Sequence, residues 1–212
     1  MAVAADDVER AALSPLPERF YAPGARVVAS KLLGHFLLRR TGDGWAGGMI
    51  VETEAYLADD PACHGFKGRT ARNAAMFGPP GRAYVYFIYG NHWCFNAVCH
   101  REGMAEAVLI RGITADFGVG WMQGRRPVAK LRELTNGPAK LCAALGIDRR
   151  CDGASLCREE GEIVIAKNPR RAQAVAKFGP VQTTRRIGIT LAADWPLRFC
   201  LPGSEFVSRR VH

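Results

Sequence analysis

Hydrophobic and polar positions along the first third of the chain predict a helix followed by a hairpin. In residues 26–33 (RVVASKLL) the helical period turns Val27, Val28 and Leu32 inward, and Gly34 is the stop. Residues 36–40 then read as a strand, Thr41-Gly42-Asp43-Gly44 as a turn, and residues 45–56 as a longer returning strand. A second hairpin is predicted from 83–88 and 92–99, followed by a strand at 107–111. The segment NGPAKLCAALG (136–146) carries a helix signature, with Asn136 as its cap, Pro138 in the first turn and Gly146 past the end. Short strands are predicted at 163–166, 186–190 and 197–201. The first 25 residues are loosened by Ser14-Pro15-Leu16-Pro17 and Pro23-Gly24, apart from a helical turn near 7–13. Strands joined by hairpins, with helices to the side, predict an α+β fold: one domain, 19–212, with a curved, mostly antiparallel sheet, flanking helices and a protruding β-hairpin. Residues 1–18 are expected to be a loosely ordered N-terminal segment.

Side-chain direction within those strands points to chemistry. Residues two apart on a strand share a face, so Glu52, Glu54 and Tyr56 line up together and Val51, Thr53 and Ala55 oppose them. Two carboxylates facing the same way as an aromatic ring are costly to bury without purpose. In the second hairpin, a three-residue loop Tyr89-Gly90-Asn91, with Asn91 left-handed, pairs Ile88 with His92, Tyr86 with Cys94 and Tyr84 with Asn96. That register puts Tyr84, Tyr86 and Asn96 on one face and leaves Tyr89 at the apex, a poor core position and a good wedge between bases. A two-residue Gly90-Asn91 turn would move Asn96 to the other face. Residues 57–82, rich in Asp, Gly, Arg and Pro, form a connection long enough to imply a role of its own.

Composition narrows the partner. Among 212 residues, 29 Lys and Arg against 20 acids give a charge of +9, which suits a polyanion. Four of the five tyrosines fall between 56 and 89, interleaved with His64, Lys67, Arg69, Arg72 and Arg82. Rings for bases and cations for phosphates suit nucleic acid. No apolar run reaches the roughly 20 residues of a membrane span, and the acidic start MAVAADDVER is unlike a signal peptide. A cytoplasmic protein without membrane contact is expected. The seven cysteines are odd in number and form no CxxC, so they are expected as buried thiols. Cys94, Cys99 and His100 fit no closed zinc site, and no metal is expected.

Taken together, VETEAY (51–56), His64, RNAAMFGPPGRAYVYFIYG (72–90), Asn96, VLIRG (108–112), GPAKLC (137–142) and PLRFCLPG (196–203) resemble the alkyladenine (3-methyladenine) DNA glycosylase family, in order from about 19 to 208. The resemblance implies a monofunctional glycosylase that flips damaged purines out of double-stranded DNA and hydrolyses their glycosidic bonds in base excision repair. Glu54 then matches the general base, and Arg111 a basic residue beside it and the attacked sugar. Tyr56, His64 and Tyr86 match the residues enclosing the flipped base. Asn96 matches the side chain that rejects guanine through its exocyclic amine, and Tyr89 the residue filling the vacated gap. The family pattern is more varied just beyond that wedge, where Asn91-His92-Trp93 stands here. Lys67, Arg69, Arg72 and Lys140 are assigned to the DNA backbone. The expectation includes no cofactor, a monomer, and a cytoplasmic location, nucleoid-associated if the source is bacterial. Two other readings stay open. Glu52 and Glu54, about 6.5 to 7 Å apart on a strand, could serve as the acid pair of an inverting carbohydrate hydrolase. Alternatively, the chain could bind nucleic acid without catalysis.

Overall fold

The computed structural model describes residues 14–209. Helices α1 (Glu18–Tyr21) and α2 (Ala25–Leu32) lead into the antiparallel pair β1 (Phe36–Thr41) and β2 (Gly44–Tyr56). Strands β3 (Ala83–Ile88), β4 (His92–Cys99) and β5 (Glu106–Ile113) follow, then helices α3 (Val119–Arg125) and α4 (Pro138–Ala144). The chain closes with β6 (Ile163–Ala166), α5 (Arg171–Lys177), β7 (Gln182–Thr184) and β8 (Arg198–Cys200). The helical turn expected near 7–13 lies outside the described residues. At the start of the described chain, Leu16 donates its N–H to Ile165 O at 2.8 Å, laying this segment along β6.

The long strand β2 organises the sheet because it changes partners along its length. Its first half pairs with β1, from Thr41↔Gly44 to Phe36↔Met49. The second half pairs with β5 and, at Glu52 to Glu54, with β8. The strand order is β3-β4-β5-β2-β1-β6, with β8 on β2 and β7 on β8. Among the described residues every strand pairing is antiparallel and the sheet curls, and with its flanking helices the fold is α+β. Where β2 passes from one set of partners to the other it is crowded on both sides. A Cβ on Gly47 would collide with Leu37 O, and one on Gly48 with Thr114 O. Only glycine leaves room there.

Helix α2 covers the face of the sheet opposite the acids. Ala25, Val28, Ala29 and Leu32 recur at helical spacing and are buried, and Thr53 Oγ1 donates to Ala29 O at 2.9 Å. Val27, expected to face inward, is 44% exposed because it falls outside that stripe. Helix α4 packs against β4 and β5. Its N-cap is Gly137, and Asn136, expected to cap it, instead accepts a hydrogen bond from Lys140 Nζ at 2.8 Å. A second, smaller core of Cys63, Met76, Tyr84, Val98, Ala105 and Ala107 lies under the 57–82 connection, which includes a 3₁₀ turn at Ala74–Phe77. Six of the seven cysteines are buried thiols and Cys157 is half-buried; all are free. Among the described residues no helix is long and apolar enough to cross a membrane.

The strand expected at 186–190 is absent. Regular pairing stops at Thr184, because Arg186 turns inward to a buried ion pair with Asp60 and the chain leaves the sheet. The isoleucines at 187 and 189 alternate like a strand but face a cavity.

Candidate active site

Glu54 sits near the C-terminal end of β2, fully buried, with three donors on its carboxylate. Tyr56 Oη donates to Oε2 at 3.1 Å, Arg111 Nη1 to Oε2 at 3.2 Å, and Ile187 N–H to Oε1 at 2.8 Å. Burial raises the acid above its ordinary range, while Arg111, Ile187 N–H and Tyr56 pull the other way. Burial likewise holds the Tyr56 phenol protonated well past its usual value, so it is the donor to Glu54.

Arg111 reaches this acid through an irregularity that the alternation of residues does not reveal. Glu52 pairs with Gly112 and Thr53 with Ile110, which leaves Arg111 as an extra residue on β5. Bulges of this kind re-aim side chains beside active sites. The guanidinium thereby meets both carboxylates, with Nε on Glu52 Oε1 at 3.1 Å and Nη1 on Glu54. Glu52 is saturated by Arg111, by Arg198 Nε at 2.6 Å, and by the N–H and hydroxyl of Ser208 at 2.6 and 2.8 Å.

Above Glu54 opens a cavity of about 300 Å³. Tyr56, His64, Tyr86, Asn96 and Arg111 all line it, and Tyr89 stands at its rim. The hairpin register places Tyr86 and Asn96 there, with Ile88↔His92, Tyr86↔Cys94 and Tyr84↔Asn96 as expected. Asn96 Nδ2 donates to Tyr84 O at 3.1 Å, which fixes the amide. His64 lies edge-on to Tyr86, ring centroids 4.4 Å apart, with Nδ1 2.9 Å from the Tyr84 hydroxyl. Burial, then Arg72, lowers its pKa, so the ring is neutral at neutral pH. Tyr89 is 80% exposed at the hairpin apex. The left-handed residues of that loop are Tyr89 (φ 54°) and Gly90 (φ 72°), not Asn91 as expected. The type of loop was readable, but not which residues absorb its turn.

The basic residues assigned to the DNA backbone lie outside this cavity. Lys67 and Arg72 border an adjoining recess with His64 and Tyr84, and Arg72 Nη2 is tied to Phe87 O at 2.8 Å. Arg69 is exposed. Lys140 borders a separate polar recess with Asn136 and Ser208. Neither acid lines the cavity itself: Glu54 lies directly behind Tyr56, Arg111 and Ile187, which do, whereas Glu52 meets the lining only through Arg111, an arrangement that does not favour a paired-acid reading.

The methylpurine-DNA glycosylase family matches residues 19–205. The chain belongs to this family. Three curated relatives bear 3-methyladenine DNA glycosylase names. The Koribacter versatilis protein is 45% identical over 204 residues, covering 93% of this chain and 95% of its own. That of Rhodopseudomonas palustris strain HaA2 is 48% identical over 194 residues, covering 92% and 90%, and that of Methanoculleus marisnigri 47% over 195, covering 92% and 99%. This DNA glycosylase is therefore a hydrolase of N-glycosidic bonds with DNA as its substrate.

Several residues that hold the glycosylase site together were not singled out by its sequence. Arg186 grips Asp60 bidentately, donates to Ala55 O at 3.1 Å, and stacks its guanidinium 4.7 Å from the Tyr56 ring centroid. That anchors the loop whose Ile187 N–H meets Glu54. Asn73 bonds His64 O and Gly68 O at 2.8 and 3.0 Å and so fixes the segment carrying His64. Their only signal was position within long irregular segments rich in charged side chains.

Proposed function

We propose that the enzyme is monofunctional and excises purines alkylated at N3 or N7 from duplex DNA, with Glu54 as its base. One observation supports this above the rest: a buried carboxylate whose three donors, Tyr56, Arg111 and Ile187, all line the same aromatic cavity. Reaching the sugar of a stacked, paired nucleotide requires its extrusion, at a cost of a few kcal/mol that damage reduces. Tyr89 fills the gap left behind. The extruded base enters between Tyr56, Tyr86 and His64. A cationic alkylpurine gains about 0.5 to 2 kcal/mol against the ring faces, and a neutral His64 adds no repulsion. The positive charge also weakens the glycosidic bond. A carboxylate offers about four acceptor sites; with three filled, the fourth holds the attacking water. Glu54 takes the water proton and its charge stabilises the oxocarbenium-like carbon. Asn96 rejects guanine at its exocyclic amine. Lys67, Arg69, Arg72 and Lys140 meet phosphates.

A lyase step would need an amine at the sugar, and among the described residues no lysine lines the cavity. We take residues 19–212 as one glycosylase domain, acting as a cytoplasmic monomer. Duplexes carrying single lesions, scored for abasic sites, test the reading. Release of alkylpurines with no borohydride-trapped adduct is expected. Binding without release of any lesion, or a covalent adduct, would contradict it.

A further inference from the structure

Glu52 meets the cavity lining only through Arg111, yet it carries four hydrogen bonds from three separate segments of chain: Arg111 on β5, Arg198 on β8, and Ser208 beyond β8. Each nitrogen of the Arg111 guanidinium is given to a different group. Nε goes to Glu52, Nη1 to Glu54, and Nη2 to Ser208 Oγ at 3.4 Å. An arginine facing one carboxylate ordinarily closes on it as a two-pronged fork. Such a fork would make Glu54 a poor proton acceptor. Here the fork is prevented, because Nη2, which would complete it beside Nη1, is held by Ser208, while Nε on Glu52 fixes how the guanidinium lies.

We propose that Glu52 is a positioning residue for excision: it sets where the Arg111 guanidinium sits against Glu54 and how much of its positive charge Glu54 receives. The inference rests on Glu54 acting as the base. Arg198 completes the device by supplying a second cation to Glu52, with its other nitrogens on Thr184 Oγ1 at 3.0 Å and Arg209 O at 2.7 Å. The charge of Glu52 is thus balanced without consuming Arg111. The groups facing Glu54 are Tyr56 and Glu52 from β2, Arg111 from β5, Cys94 from β4, and Arg186 with Ile187 N–H from the loop after β7. Within that set burial and Glu52 raise the acid, and Arg111 lowers it.

Single-turnover excision of one alkylated duplex against pH, with binding measured in parallel, tests this on Glu52→Gln, Ser208→Ala and Glu54→Gln. Glu52→Gln frees Arg111 to close on Glu54, so the acid limb moves to lower pH by about one unit. The plateau rate falls by roughly 10-fold, part of what general-base help supplies, and binding stays within a few fold. Ser208→Ala keeps the fold even where Glu52→Gln does not. It frees Nη2 to join Nη1 on Glu54 and moves the limb slightly downward. A limb unmoved in Ser208→Ala and in any folded Glu52→Gln, or a rate loss matched by lost binding, overturns the role of Glu52. Should Glu54→Gln still excise, the base assignment itself falls, a distinct result from an inactive Glu54→Gln beside an unmoved limb.

Discussion

Glu54 is buried among its three donors, and burial acts against its charged form. Burial raises its pKa above the ordinary 4.5, and three donors recover only part of that. The sign follows from linkage: with the folded value above the unfolded one, ionising Glu54 opposes folding at neutral pH, and the opposition disappears as pH falls through the folded value. With Glu54 as the proposed base, excision needs its ionised form, and activity is predicted to fall over that same descent. The acid limb of single-turnover excision is predicted above pH 4.5, and a limb at or below the ordinary carboxylate value would contradict the assignment. The shared face of Glu52, Glu54 and Tyr56 was legible because strand alternation is strict. The meeting of Arg111 with both acids was not, because it depends on an extra residue in β5 that only pairing reveals.

The hairpin β3–β4 and the loop after β7 mark the two extremes of legibility among the elements. Hairpin register follows from local sequence once the loop length is chosen, and the pairing of Tyr84 with Asn96 came out as expected. The loop around residues 185–190 is set by Arg186 and Asp60, 126 residues apart in sequence, and no local pattern announces such a contact. Its alternating isoleucines imitate a strand for the same reason that strands alternate: one side is covered, here by the site. Arg186→Ala leaves Asp60 charged and fully buried without its cation, and removing one partner of a buried pair costs about 3 to 5 kcal/mol. Chemical denaturation should show a loss of that size together with reduced excision. A change under about 1 kcal/mol, the range of an exposed pair, would mean that the ion pair does not hold the loop.

At the scale of the molecule, the fold gathers the site from across the chain. β2, the 57–82 connection, the hairpin, β5, the loop after β7 and the segment around Ser208 each contribute, and the long strand β2 is the element that most of them touch. The basic excess of the sequence was legible as an affinity for a polyanion, and DNA is that polyanion. The basic excess accounts for affinity, and the proposed base Glu54, behind the aromatic cavity, for excision. Binding and excision should therefore separate. The direct measurement is single-turnover excision and duplex affinity for Glu54→Gln and the unsubstituted enzyme on the same alkylated DNA. The account predicts affinity within a few fold and excision reduced by at least about 10²-fold; excision at the unsubstituted rate would contradict it.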